Sequence, residues 1–110
     1  MPPFFPPTNL AVTSALGSGV YKKDNTLTWQ KNAQNRASEV AKYRIYRKKL
    51  EEADTGYVLA GEVGADILTF KDAGRVNDQR YTYVAVAYSI YSYESARTAS
   101  VTDLKFYAKC

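Results

Sequence analysis

The chain has no histidine, one cysteine, and no proline beyond residue 7. Without imidazole it lacks the commonest general base and the commonest transition-metal ligand. Its cysteine is the last residue, Cys110. A lone thiol there forms no internal disulfide, and zinc sites of the thiolate or imidazole kind are excluded. Cys110 reads as a tail thiol rather than a nucleophile. No apolar run reaches the ~18 residues of a membrane span, and none resembles a secretory signal core. No Asn-x-Ser/Thr triplet marks an N-glycosylation site, and no Asp-x-Asp spacing marks a calcium loop. Gly17-Ser18-Gly19 precedes no helical pattern, so it is no phosphate cradle. Glu51, Glu52 and Asp54 lie close together, but nothing apolar surrounds them to raise a carboxyl pKa, and they read as a solvated turn. The expectation is a chain that is not an enzyme, with no cofactor and no metal.

What the chain does have is strand-forming sequence. At 110 residues it makes one domain, which buries roughly 65% of the unfolded chain's surface. Fifteen basic and eleven acidic residues are spread along it, for a net charge of +4. That balance favours solubility and does not indicate a nucleic-acid partner. Ten tyrosines are many for this length, and tyrosine favours strands and half-covered surfaces.

The segment Gln79–Tyr88 organises the rest. It holds ten residues without Gly or Pro, dense in β-branched and aromatic side chains, and a run this apolar calls for cover on both faces. Shorter strands surround it. Thr8–Thr13 places Leu10 and Val12 on one face, and Thr26–Gln30 places Leu27 and Trp29 inward. Val40–Lys48 puts Tyr43 and Ile45 on one side and Lys42, Arg44, Tyr46 and Lys48 on the other. Tyr57–Ala60, Ile67–Phe70 and Ala96–Val101 complete seven. Ser14–Asn25, Lys31–Ser38, Glu51–Gly56, Lys71–Asp78 and Ser89–Glu94 read as loops or turns. No segment shows a capped 3.6-residue period, so almost no helix is expected. Seven strands with frequent turns fit an antiparallel sandwich or a small barrel.

Several of these segments resemble a fibronectin type III domain, from about Pro6 to Val101. Pro6-Pro7-Thr8-Asn9-Leu10-Ala11-Val12 is similar to the family's first strand, and Leu27-Thr28-Trp29 to its second. Tyr43-Arg44-Ile45-Tyr46-Arg47 resembles the third strand, and Phe70-Lys71-Asp72-Ala73-Gly74 the end of the fifth. Tyr81-Thr82-Tyr83-Val84-Ala85-Val86-Ala87 resembles the sixth, with Tyr81 at the position of the tyrosine corner. Glu94-Ser95-Ala96 is similar to the start of the seventh. There are departures: the loop between the first two strands reads as long, Arg75 stands where an apolar residue is common with Val76 beside it in that role, and Asp78 replaces a usual glycine. The loop after the sixth strand has no Arg-Gly-Asp, so integrin adhesion through that motif is not implied.

The resemblance implies an all-β, seven-stranded antiparallel immunoglobulin-like sandwich over 8–102, after a proline-rich linker at 1–7 and before a C-terminal tail at 103–110. It implies that Tyr81, Tyr83, Ala85 and Ala87 face the core while Thr82, Val84, Val86 and Tyr88 face outward. Beside them would lie Lys42, Arg44 and Tyr46, giving an exposed apolar row next to a basic, aromatic one. That face, with Tyr91 and Tyr93, is the candidate interaction surface. The function implied is a non-catalytic spacer or protein-binding module of a larger, extracellular or cell-surface protein. Its partners would be neighbouring domains or another protein, with no membrane insertion. The alternative is an accessory module of a secreted glycan-degrading enzyme, in which Tyr46, Tyr91 and Tyr93 stack on polysaccharide. A further reading is polyanion binding through Lys42, Arg44, Arg47, Lys48 and Lys49.

Overall fold

Alternating side chains set the strands here, and polar residues on the inward phase hide where two of them begin and end. The computed structural model describes residues 4–17 and 19–104. Its strands are β1 (Thr8–Leu16), β2 (Lys22–Gln30), β3 (Val40–Lys49), β4 (Val58–Gly64), β5 (Thr69–Val76), β6 (Tyr81–Ser89) and β7 (Val101–Thr102). Helix among the described residues is limited to two 3-10 turns, Ala37–Glu39 and Asp54–Gly56. One sheet runs β1-β2-β5 and the other β4-β3-β6-β7, with every pairing antiparallel. The two separate sheets make a sandwich, not a barrel.

Leu27 and Trp29 of β2 close against Tyr43 and Ile45 of β3 and Tyr81, Tyr83 and Ala87 of β6. Trp29 is 3% exposed, and its ring lies 5.6 Å from that of Tyr43. Tyr81 makes the expected corner: its hydroxyl accepts from the Val76 amide at 3.2 Å, fixing the turn between β5 and β6. Val76 itself is 39% exposed, so it does not take the apolar role expected beside Arg75.

The long loop expected over residues 14–25 is instead the two arms of a hairpin. Ser14 pairs with Asn25, Ala15 with Asp24 and Leu16 with Lys23, leaving a short turn through Gly17–Tyr21. Ser18, within it, lies outside the described residues. The turn expected at Lys71–Asp78 is mostly strand. There, Asp72 to Arg75 span only Asn25 to Lys23 of the partner. The extra residue is a bulge at Gly74, whose φ of +75° favours glycine. Gly61 is also a strand residue rather than a turn; a Cβ there would run into the Phe70 ring across the sandwich.

The seventh strand is shorter than expected. Residues 95–100 run beside β6, but the Ser95 and Thr98 hydroxyls accept the Ala87 and Ala85 amides, each at 3.0 Å. Side-chain oxygens standing in for backbone carbonyls keep a regular ladder from forming. Asp103, where the tail was expected to begin, is fully buried and bonded into the sandwich. Its Oδ2 lies 2.8 Å from Lys23 Nζ and accepts from Asn25 Nδ2 at 2.6 Å, and its Oδ1 accepts from the Tyr81 amide at 2.7 Å. At the other end, Phe5 and Asn35 exchange two hydrogen bonds and Asn32 donates to the Pro6 carbonyl, so Phe4–Pro7 lies against the fold. Met1–Pro3 and residues 105–110, including Cys110, lie outside the described residues.

Phe4–Pro7 sits beside the 31–39 and 89–94 loops, while Leu104 bonds Ser14 and Lys23 beside the β1–β2 hairpin. The described chain therefore enters and leaves at opposite poles of the sandwich.

Candidate interaction surface

The outer face of β3 and β6 carries the residues singled out from the sequence, and the register brings most of them together. Lys42 faces Tyr88, Arg44 faces Val86, and Tyr46 faces Val84. The Arg44 guanidinium lies 4.0 Å from the centroid of the Tyr88 ring, with Lys42 Nζ 5.0 Å from the same ring. Such cation–ring contacts are electrostatic and orient both partners. Arg97, from the irregular segment after the 89–94 loop, lies 5.8 Å from the Tyr46 ring and 5.0 Å from that of Tyr57.

Two acids tie this ribbon of cations and rings. Glu62 of β4 accepts from Arg44 Nε at 2.7 Å and from Lys42 Nζ at 3.2 Å. Glu94 accepts from Arg44 Nη1 at 3.2 Å and from the Tyr46 hydroxyl in a short hydrogen bond. The Arg44 guanidinium, with Lys42 adding, holds the Glu62 carboxyl below its usual range. Glu62 in turn raises the Arg44 pKa. Burial, reinforced by Glu94, pushes the Tyr46 hydroxyl up.

The exposed apolar row expected here is absent. Val84 is 4% exposed and Val86 1%, sealed beneath the longer side chains beside them. Lys48 is also mostly covered: its ammonium donates to the Glu52 carbonyl at 2.7 Å. Tyr93 packs edge-on against Phe4 at 5.5 Å, and Tyr91 is 62% exposed on the 89–94 loop. Of the three tyrosines expected to form a sugar platform, Tyr91 alone is largely open. Glu51, Glu52 and Asp54 are exposed, and a hydrogen bond from Gln79 lowers the Glu51 pKa, the opposite of what a general acid needs.

Glu62, Glu94, Arg97 and Tyr57 belong to this face but were not singled out from the sequence. Three same-phase cations on β3 do call for acids on a neighbouring strand. Which acids these are depends on the β3–β4 register, which has a bulge between Ile45 and Tyr46.

An all-β chain with sheets of three and four strands in this order belongs to the class of immunoglobulin-like sandwiches. More narrowly, the fold is that of a fibronectin type III domain, and the structural neighbours include such domains. A Fn3-like protein from Clostridium thermocellum superposes with a TM-score of 0.70 at 18% identity, over 94% of this chain and 95% of that one. The FN5 domain of Drosophila Lar gives 0.65 at 16%, over 94% and 96%. A β-1,2-glucanase from Parabacteroides distasonis gives 0.69 at 16%, over 94% of this chain but 13% of its own. The fold thus occurs both as a stand-alone domain structure and as a small part of much longer chains. No protein-family profile matches the sequence, and no curated protein does. Among the described residues no helix is long and apolar enough to cross a membrane.

Proposed function

We propose that the chain is a non-catalytic module of a larger extracellular or cell-surface protein, contacting a neighbouring domain or partner protein through the outer face of β3 and β6. The observation that carries this is the ribbon Lys42–Tyr88–Arg44–Tyr46–Arg97. Tyrosine and arginine dominate binding hot spots because they offer large contact area with a polar edge. Here Glu62 and Glu94 already hold Arg44 and Tyr46 in place, so these side chains lose little freedom on contact. Entry and exit at opposite poles suit a unit strung between other domains.

A photo-reactive phenylalanine analogue placed at Tyr88 in the full-length protein tests the reading. Cross-links to one defined partner or flanking domain are expected from Tyr88 and not from a control at Lys71. Equal labelling from both sites would contradict it. Retardation in polysaccharide gels that is lost in Tyr91→Ala would favour the carbohydrate alternative.

A further inference from the structure

In the ribbon Lys42 and Arg44 are held by Glu62 and Glu94, and a second group of cations gathers at the far end of β3. Arg47, Lys48 and Lys49 line a cleft of about 230 Å³ together with Arg75 of β5, the Tyr81 ring and Glu52. Asp72, buried beside Arg47, is the carboxylate that pairs with the cleft's two guanidinium groups. It accepts three hydrogen bonds: Arg47 Nη1 donates to both oxygens at 2.9 Å, and the Tyr83 hydroxyl donates to Oδ2 at 2.7 Å.

Arg75 is left over. Its Nε lies 3.6 Å from Asp72 Oδ1, within ion-pair range but beyond a good hydrogen bond, and that nitrogen is buried with no acceptor. Its guanidinium carbon lies 5.8 Å from the Tyr81 ring centroid, which orients the group without satisfying its donors. Glu52 spends its carboxylate on the Lys49 amide, and Lys48 turns its ammonium to the Glu52 and Leu50 carbonyls. At the rim, Asp54 stands 3.8 Å from Lys48 and is largely solvated. Four cations therefore line the cleft beside one lining carboxylate, Glu52; Asp72, Asp54 and Glu51 lie around it, and none of these acids accepts a hydrogen bond from Arg75.

From this geometry we infer that the cleft is a binding site for a tetrahedral oxyanion, a sulfate or phosphate group either free or borne as an ester. Such a group supplies several acceptor oxygens to the Arg75 fork and a counter-charge to Lys49 beside it. The polyanion reading of the sequence is thereby relocated: Lys42 and Arg44 are paired with Glu62 and Glu94, while Lys49 and Arg75 do the binding.

The test is an NMR titration of the ¹⁵N-labelled chain with sodium sulfate, sodium phosphate and a monosulfated methyl glucoside, each against sodium chloride at equal ionic strength. Saturable shifts at Arg75 Nε–H and at the Lys49 and Val76 amides are expected with the oxyanions and not with chloride. Arg75→Gln should weaken binding about tenfold, the loss of one charge-assisted pair. Lys49→Gln, on an exposed side chain that leaves the core intact, should weaken it by about threefold. Lys22→Gln should leave it unchanged. Tighter binding of the ester than of free sulfate assigns the anion to a sulfated chain, and the reverse order assigns it to the free ion. Shifts that match those in chloride, or that persist undiminished in Arg75→Gln and Lys49→Gln, would overturn the site.

Discussion

Because β7 contributes only Val101 and Thr102 to its sheet, the end of the fold is held by a side chain. Asp103 accepts from Lys23, Asn25 and the Tyr81 amide, and the first two belong to the opposite sheet. Asp103→Ala would leave the Lys23 ammonium buried without its counter-charge, a loss of about 3–5 kcal/mol. Urea denaturation measures it, and a loss below about 1 kcal/mol would show that the pair does not fasten the segment. The sequence concealed this cluster for a physical reason. Lys23 and Asn25 continue the inward phase of Leu27 and Trp29, yet a lysine and an asparagine on that phase read as loop. Partners distant in sequence, Asp103, Tyr83 and the Gln79 and Leu104 carbonyls, make their burial tolerable. Trp29, by contrast, was legible because its alternation with Leu27 reads directly as an inward, apolar phase. Trp29→Ala should cost about 3–5 kcal/mol.

Among the elements, β6 was read most fully and β5 least. The continuous apolar run of β6 demanded cover on both faces, and both are covered: Tyr83 and Ala85 by the opposing sheet, Val84 and Val86 by the Arg44–Tyr46–Arg97 ribbon. The expectation of an exposed valine row came from the family's phase. It missed that long side chains on β3 can lie across a neighbouring strand. In β5 a glycine and an aspartate suggested a turn, whereas Gly74 is a bulge and Asp72 an acceptor for Arg47. Gly61 of β4 admits the Phe70 ring, so Gly61→Ala should destabilise by about 1–3 kcal/mol through overpacking. The ribbon also carries a pH dependence. Because Glu62 ionises more readily in the folded chain, its contribution is present above the unfolded value near 4.5 and is lost as pH falls through the lower folded value. Its ¹³C carboxyl titration should have a midpoint below 4.5 that rises in Arg44→Ala.

At the scale of the whole molecule, one sheet has two faces with different roles. The inner face of β3 and β6 closes on Trp29 and specifies the sandwich, while the outer face carries rings and cations held by Glu62 and Glu94. Thermal unfolding of Arg44→Ala/Tyr88→Ala beside Trp29→Ala, in the same buffer, separates the two most directly. The outer-face pair should lower Tm by less than about 8 °C and keep the native spectrum, whereas Trp29→Ala should lower it by more than about 12 °C. An outer-face pair that unfolds as readily as Trp29→Ala would mean that the ribbon serves the core, contradicting its assignment as a contact surface.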